Sequence, residues 1–234
     1  MRLVLGSAIV AIAVLGCKGG EPTVPVPKSV PLTPVALKPG EETRLFPIQV
    51  GNKWVYNLET AMIAKGQRGT GGGELEHLVT QVQDKPDGKL AMIEESVNGK
   101  LSGRQTWLVN SQGIYLVGSS QGDAAIRAFD TPQPVILFPA DKGKKFDWKG
   151  TSGSLHLDLK ADIAGPEEVD TLERRFATVK IHSVTTESKG KVSGKSETIS
   201  WFAPGVGIVR LRETSVSGTT ASQIILRLKS HTVK

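Results

Sequence analysis

The sequence is poor in cysteine, in aromatic residues and in long apolar runs. Its 234 residues contain one cysteine, Cys17, so no disulfide bond can form within the chain and zinc sites built on cysteine pairs are excluded. Aromatic residues make up 5% of the chain and do not alternate with a basic stripe, so nucleic-acid binding is not expected despite a net charge of +6. The longest apolar run, residues 3–15, is too short to span a bilayer as a helix.

The first seventeen residues nevertheless form a recognisable segment. Arg2 precedes the apolar run, which closes on Gly16 immediately before Cys17. This pattern resembles a bacterial lipoprotein leader, and the resemblance implies removal of residues 1–16 and acylation of Cys17, with palmitate among the usual acyl chains. An ordinary secretory signal and an uncleaved anchor are the alternatives. Lys18 stands where many inner-membrane lipoproteins carry aspartate, which implies the periplasmic face of an outer membrane.

The chain after the cysteine divides into a proline-rich stretch and one larger unit. Prolines at positions 22, 25, 27, 31, 34 and 39 remove backbone donors, so residues 17–44 are predicted to be an extended tether. Residues 45–234 are long enough for one well-buried domain and are not clearly long enough for two.

A period of two dominates this larger unit. Across residues 154–163 the apolar set alternates with polar residues, which is typical of a half-buried strand. Further strands are predicted at residues 53–63, 75–83, 90–97, 105–109, 113–118, 144–149, 177–181, 197–202, 207–215 and 222–230. We therefore predict an all-β domain with a single curved, mostly antiparallel sheet or half-barrel, and a two-sheet sandwich is the alternative.

Local signals refine this outline. Asn98-Gly99 favours a tight hairpin because both residues tolerate positive φ angles. The glycine-rich residues 66–73 are predicted to form a flexible loop, and residues 123–129 a short helix.

Two segments carry a family resemblance. The first, residues 46–56, reads Phe-Pro-x-x-x-Gly-x-x-Trp-x-Tyr, and the second, residues 201–209, reads Trp-Phe-Ala-Pro-Gly-Val-Gly-x-Val. Together they resemble the TapB-like family of bacterial envelope proteins, and residues 134–149 and 168–181 are similar to its central segments. The family's usual Pro-Ala-Gly turn is replaced here by Leu172-Glu173-Arg174. The resemblance implies an envelope location and no defined activity.

The same segments contain the candidate site residues. Their aromatic residues are predicted to fill the core or close the sheet, and the alternative is that they line a concave groove for a lipid, glycan or peptide. The glycines are predicted to permit a tight reversal before the next strand. The set comprises Trp54, Tyr56, Trp201, Phe202, Gly205 and Gly207.

One short motif suggests hydrolysis. Residues 118–122 match Gly-x-Ser-x-Gly, which would make Ser120 a nucleophile with a downstream histidine such as His182 as its base. That motif belongs to a fold with a parallel sheet and repeated helices, which the sequence does not indicate. A serine hydrolase is thus a remote alternative, and an enzyme is not expected.

Metal and cofactor motifs are not found. Glu74 and Glu76 share one face of a predicted strand while His77 points to the other, and each histidine is interpreted as a polar residue on a solvated face. The adjacent carboxylate pairs at residues 94–95 and 167–168 likewise face opposite ways. We expect no metal and no cofactor.

The sequence therefore predicts a membrane-anchored, non-enzymatic envelope lipoprotein. One hypothesis is that its curved sheet binds an apolar or amphipathic envelope ligand. The other is a structural or assembly role through contacts with other envelope proteins. A carrier requires a cavity on the concave face, whereas an assembly protein requires a filled core with an exposed apolar patch or sheet edge.

Overall fold

The protein folds as one antiparallel sheet of twelve strands. The computed structural model describes residues 41–190 and 192–234, so Cys17, the leader and most of the proline-rich stretch lie outside the described residues. The strands are β1 (Lys53–Ala64), β2 (Gln67–Lys85), β3 (Gly88–Val97), β4 (Lys100–Asn110), β5 (Gly113–Gln121), β6 (Arg127–Leu137), β7 (Lys145–Ser152), β8 (Leu155–Asp170), β9 (Arg175–Lys189), β10 (Val192–Ala203), β11 (Gly207–Ser217) and β12 (Thr220–Thr232).

The order of the strands in the sheet largely follows their order in the chain, and the sheet is curled. The strands lie in the order β6-β5-β4-β3-β2-β1-β12-β11-β10-β9-β8-β7, so strands that follow one another in the chain are paired except β6 and β7, which form the two ends of the order. The predicted single curved sheet is confirmed, because the sheet curls until it is nearly a barrel and no second sheet packs on it. Within the described residues the only helix is a 3-10 turn at Glu42–Leu45, and none is long and apolar enough to cross a membrane.

A seam between β6 and β7 brings the two ends of the sheet together. The backbone N–H of Thr151 donates to Asp130 Oδ1 over 2.7 Å, and Trp148 Nε1 donates to Thr131 Oγ1 over 3.0 Å. The rings of Phe129 and Trp148 meet edge to face beside them. Side chains rather than a full backbone ladder thus join the two edges.

Alternation along each strand determines which side chains face inward. On β8 the residues Leu155, Leu157, Leu159, Ala161 and Ile163 are buried, while their neighbours are more exposed. Because side chains on a strand point alternately to opposite faces, the concave side of the sheet collects one set of residues from all twelve strands. The period of two in the sequence therefore predicted the inner face of β8 correctly.

The prediction of a flexible loop at residues 66–73 was wrong. Most of this segment is the first part of β2, and only Lys65 and Gly66 form the turn, both with positive φ. The glycines allow close packing on β1: a Cβ added to Gly72 would stand 2.6 Å from the carbonyl oxygen of Leu58. The lack of a side chain at Gly72 therefore permits close pairing of β2 with β1 and does not indicate a loop.

The prediction of a helix at residues 123–129 was also wrong. Residues 122–126 are turn and irregular backbone, and β6 begins at Arg127. Pro132 and Pro134 lie within β6, which is an edge strand of the ladder. Proline is tolerated there because an edge strand needs donors on one side only.

The predicted hairpin at Asn98-Gly99 is confirmed. Asn98 has φ of 51° and Gly99 has φ of 75°, and the two residues join β3 to β4. The Asn98 side chain also accepts a hydrogen bond from the backbone N–H of Glu74 over 2.9 Å. The β3–β4 turn therefore also holds the backbone of β2 at Glu74.

Aromatic side chains block one end of the curled sheet. Phe46, which follows the 3-10 turn, stacks on Trp54 with ring centroids 5.9 Å apart and meets Trp107 at 4.8 Å and Phe202 at 6.4 Å. All four are nearly or fully buried. We call these four residues the aromatic plug.

We predict that Gly72→Ala lowers the free energy of unfolding by about 1–3 kcal/mol, because the new methyl group must displace backbone of β1. The matched control is Gly69→Ala on the same strand, where an added Cβ has no heavy atom within 4 Å. Urea unfolding of both variants checks the prediction, and equal losses of stability would contradict it.

Candidate functional site

The concave side of the sheet encloses a cavity of about 170 Å³. One part of its wall is aromatic and aliphatic, and another part carries hydroxyl and carboxyl groups. The apolar wall includes Phe46, Tyr56, Leu58, Leu75, Ile93, Trp107, Leu116, Phe202, Leu211, Ile224 and Leu226. The polar residues of the wall are His77, Glu95, Gln105, Gln133, Ser183, Thr185, Thr198, Ser200 and Glu213. This combination suits a ligand with an apolar body and a polar end.

The structure places the predicted aromatic residues in three different positions. Tyr56 and Phe202 line the cavity, and Trp54 lies at the plugged end beyond them. Trp201 lies on the opposite, outer face of β10, where it is covered by Lys180 and Arg210 at 5.6 Å and 5.1 Å from its ring. Trp201 and Phe202 therefore belong to different surfaces, although the pairing of β10 with β11 shifts register between them.

Gly205 and Gly207 form the reversal between β10 and β11. Their φ angles are +76° and +104°, and the backbone N–H of Val206 closes the turn on the carbonyl of Ala203 over 3.0 Å. Both glycines therefore shape the wall behind the cavity without lining it.

The carbonyl groups after this turn are bound by residues of β1. Trp54 Nε1 donates to the carbonyl of Val206, and the Tyr56 hydroxyl donates to the carbonyl of Ile208 over 2.9 Å. Pairing of β11 with β12 begins only at Arg210, so these carbonyls have no ladder partner on that side. The two side chains satisfy buried acceptors that would otherwise be costly.

A hydrogen-bonded chain forms one polar part of the wall. Trp107 Nε1 donates to Gln105 Oε1 over 2.8 Å, and Gln105 Nε2 donates to Glu95 Oε1 over 2.9 Å. His77 Nε2 lies 3.0 Å from the same Glu95 oxygen, although the ring N–H is not aligned for a hydrogen bond. The interpretation of His77 as a residue on a solvated face was therefore wrong, because its side chain lies inside the sheet.

The second polar part of the wall centres on Glu213 of β11. This side chain is 8% exposed, its Oε1 has no hydrogen-bond partner, and the Thr198 hydroxyl bonds to the carboxyl group. Burial raises the pKa of Glu213 to about 7, and the nearby Glu187 contributes to the same shift. A carboxyl group in this state is ready to accept a hydrogen bond from a bound molecule.

Sequence reasoning missed Glu213, although a signal for it was present. Glu213 and Ser215 continue the alternation that begins at Leu211, so the inner face of β11 changes from apolar to polar along its length. The inner faces of β9 and β10 make the same change, at Ser183 and Ser200 respectively. Three neighbouring strands that change together indicate a polar surface inside the sheet.

The structure does not assemble a serine hydrolase from Ser120 and His182. Ser120 lies within strand β5, paired with Arg104, rather than at a strand-to-helix turn. His182 lies on β9, where its two ring nitrogens are 3.1 Å from Asp162 Oδ1 and 2.9 Å from Glu197 Oε1. Nucleophilic catalysis needs a base within hydrogen-bond reach of the hydroxyl, and His182 is committed elsewhere.

Carboxylates on the outer face form ion pairs instead of metal sites. Glu76 binds Lys53 at 2.9 Å and Glu74 binds Lys229 at 2.6 Å, on the face opposite His77. In residues 41–190 and 192–234 no group of histidine and carboxylate side chains is arranged to hold a metal ion.

A larger depression lies outside the plugged end. It measures about 700 Å³ and is bordered by Arg44, Phe46, Ile48, Lys89 and Phe138. Among the described residues, none of the buried side-chain polar atoms that lack a hydrogen-bond partner belongs to its wall. We therefore take the inner cavity as the candidate site.

Comparison with known proteins identifies the fold. A candidate lipoprotein from Parabacteroides distasonis superposes with a TM-score of 0.50 at 16% identity, over 80% of this chain and 98% of that one. A candidate exported protein with a YmcC-like fold from Bacteroides fragilis gives 0.46 at 18% identity, over 79% and 98% of the two chains. The hypothetical lipoprotein YmcC of Escherichia coli gives 0.35 at 10% identity, over 78% and 90%. No protein-family model and no curated protein sequence matches the chain.

We predict that Glu213→Gln stabilises the protein at pH 8 and not at pH 5. Folding raises the pKa of Glu213 from 4.5 to about 7. The protonated side chain therefore makes its full contribution to the free energy of unfolding below pH 4.5, and this contribution is lost as the pH rises through about 7. The loss amounts to about 3 kcal/mol at 1.36 kcal/mol per pH unit.

Urea unfolding of the wild type and the variant at both pH values measures the difference. Glu197→Gln is the control, because that carboxylate lies on the outer face of the same wall and is half exposed. A Glu213→Gln effect that is the same at pH 5 and pH 8 would show that Glu213 ionises normally.

Proposed function

We propose that this chain is a non-enzymatic lipoprotein of the bacterial envelope, anchored through acylated Cys17, whose curled sheet holds an apolar or amphipathic ligand. The observation that carries the proposal is the cavity on the concave face, with an aromatic wall and a buried carboxyl group that has an unpartnered oxygen. A filled core would have favoured an assembly role instead. The sheet has twelve strands, and a curl of that width encloses more space than inward side chains need to fill.

Three further observations support the envelope assignment. The leader pattern ends at Cys17, and the prolines that follow suit a spacer between a membrane and a folded domain. The TapB-like motifs point to the same compartment, and three of their aromatic residues, Phe46, Trp54 and Phe202, belong to the aromatic plug. The P. distasonis protein that shares the fold is itself a candidate lipoprotein. We assign the anchor to the periplasmic face of the outer membrane because Lys18 follows the cysteine.

An assembly role is the second candidate, and one observation favours it. Met62, Ile63, Val192 and Val216 are large apolar residues with 43–50% of their surface exposed. Ile63 and Val216 both pair with Ala221 of β12, so they lie in one row across three strands. A row of this kind offers an apolar contact surface to another envelope protein.

We predict that Cys17→Ser moves the protein from the membrane fraction to the soluble fraction and removes labelling by radioactive palmitate. Two or more acyl chains make an anchor effectively permanent, because each buried methylene contributes about 0.8 kcal/mol. Fractionation of cells that produce either form measures the change. Membrane retention and labelling of the Cys17→Ser protein would refute the proposed anchor.

We predict that native mass spectrometry of the Cys17→Ser chain, purified gently after export, shows a reproducible added mass that organic extraction removes. Ser183→Phe should lose that mass, because the new ring occupies the cavity that Ser183 lines. Thr186→Phe on the exposed outer face of β9 is the matched control and should retain it.

The result separates the two candidates. A bare mass for the unsubstituted chain would argue against a tightly held ligand and would favour the assembly role. Crosslinking from the row that contains Ile63 and Val216 would then identify the protein partner.

A further inference from the structure

Among the described residues, two polar groups of the cavity wall are buried without a complete set of hydrogen bonds, the ring of His77 and the carboxyl group of Glu213. The Oε1 of Glu213 is buried without a hydrogen-bond partner, while the side chain is 8% exposed and lines the cavity. The other buried carboxylate of the wall, Glu95, already accepts a hydrogen bond from Gln105 and lies beside His77. An unsatisfied buried oxygen costs free energy, which a ligand that donates a hydrogen bond to it recovers.

The charges around the cavity have one dominant sign. Glu95 and Glu213 line it, Glu187 lies close enough to Glu213 to raise its pKa, and no lysine or arginine among the described residues contributes to the wall. The single titratable base, His77, is already beside Glu95. A second negative charge in this space would be desolvated without a cation to pair with it.

Hydroxyl groups extend the acceptor surface beside Glu213. Thr198 pairs with Glu213 across the β10–β11 ladder, and Ser183 pairs with Thr198 across the next one. On the other side Glu213 pairs with apolar Ile224 of β12. The polar end of a ligand can therefore lie against β9–β11, where an acceptor is unpartnered, with its body toward Tyr56 and Phe202.

From this arrangement we propose that the cavity selects amphiphiles whose polar end donates hydrogen bonds, a primary amine foremost and a hydroxyl second, and that it excludes anionic amphiphiles such as fatty acids. This inference rests on the proposed ligand-binding function and names its ligand class. Glu213 receives the ammonium or hydroxyl group, and the hydroxyl groups of Thr198 and Ser183 complete its hydrogen bonds. The apolar wall holds the hydrocarbon chain.

Titration of Glu213 adds a pH dependence. The groups that face it are Glu187 from β9, Thr198 from β10 and Ile224 from β12, with His77 and Glu95 elsewhere on the wall. The pKa of Glu213 is raised to about 7, so the carboxylate that attracts an ammonium group forms between pH 6 and pH 8. Affinity for an amine should therefore rise across that interval, while affinity for an alcohol should not.

The test uses three probes with the same hydrocarbon chain: octylamine, octanol and octanoate. Calorimetric titration of the full chain carrying Cys17→Ser at pH 8 should show octylamine binding most tightly and octanoate at least about tenfold more weakly, a difference of about 1.4 kcal/mol. In the Glu213→Gln protein the amine should lose about tenfold in affinity, while octanol is unchanged. Glu197→Gln should leave all three affinities unaltered.

The outcomes separate the two claims. Octanoate binding as tightly as octylamine, or an amine affinity that Glu213→Gln does not change, would overturn the inference and leave the ligand-binding function standing. Failure of all three probes to bind would overturn both.

Discussion

Two hydrogen bonds from β1 hold the plugged end of the sheet together. Trp54 and Tyr56 reach past β12 on the inner side and donate to the carbonyls of Val206 and Ile208, at the point where β11 has not yet paired with β12. The contacts join residues 152 positions apart in the chain. Through them the first strand of the sheet is fastened to the turn between β10 and β11, so the curvature of the sheet is fixed where the aromatic plug forms.

The cavity exists because that end is fixed and the rest of the interior is left partly unfilled. Phe46 belongs both to the plug and to the cavity wall, so the same ring closes one end and supplies the floor. Away from the plug, the inner faces of β9, β10 and β11 change from large apolar side chains to serine, threonine and glutamate. Small polar residues cannot fill the width that twelve strands enclose, and they leave space with hydrogen-bonding groups around it.

The alternating pattern was sufficient to predict eleven of the twelve strands and the kind of sheet, but not β6 or the interior of the sheet. Alternation on β8 and the Asn98-Gly99 turn are local signals, and each was interpreted correctly. The glycines of β2 were misread because their role depends on the close approach of Leu58, which lies on another strand. The position of Glu213 depends likewise on the curl of the sheet, because alternation alone does not say which face becomes concave.

The aromatic motifs also show what could not be predicted from the sequence alone. Trp201 and Phe202 are adjacent in a motif with an evident pattern, yet one packs under cations outside the sheet and the other lines the cavity. Which of the two side chains lines the cavity depends on how the sheet curls.

The seam between β6 and β7 has a consequence for how the protein behaves among its own copies. A long open sheet has two outer strands whose unpaired backbone groups can recruit another chain and begin aggregation. Here the two outer strands, β6 and β7, face each other. Asp130 accepts the hydrogen bond from the backbone N–H of Thr151 that a strand of another chain would otherwise accept. The prolines of β6 remove two more donors from the same margin. Curling thus protects the sheet against pairing with other copies, because its two outer strands are covered by one another.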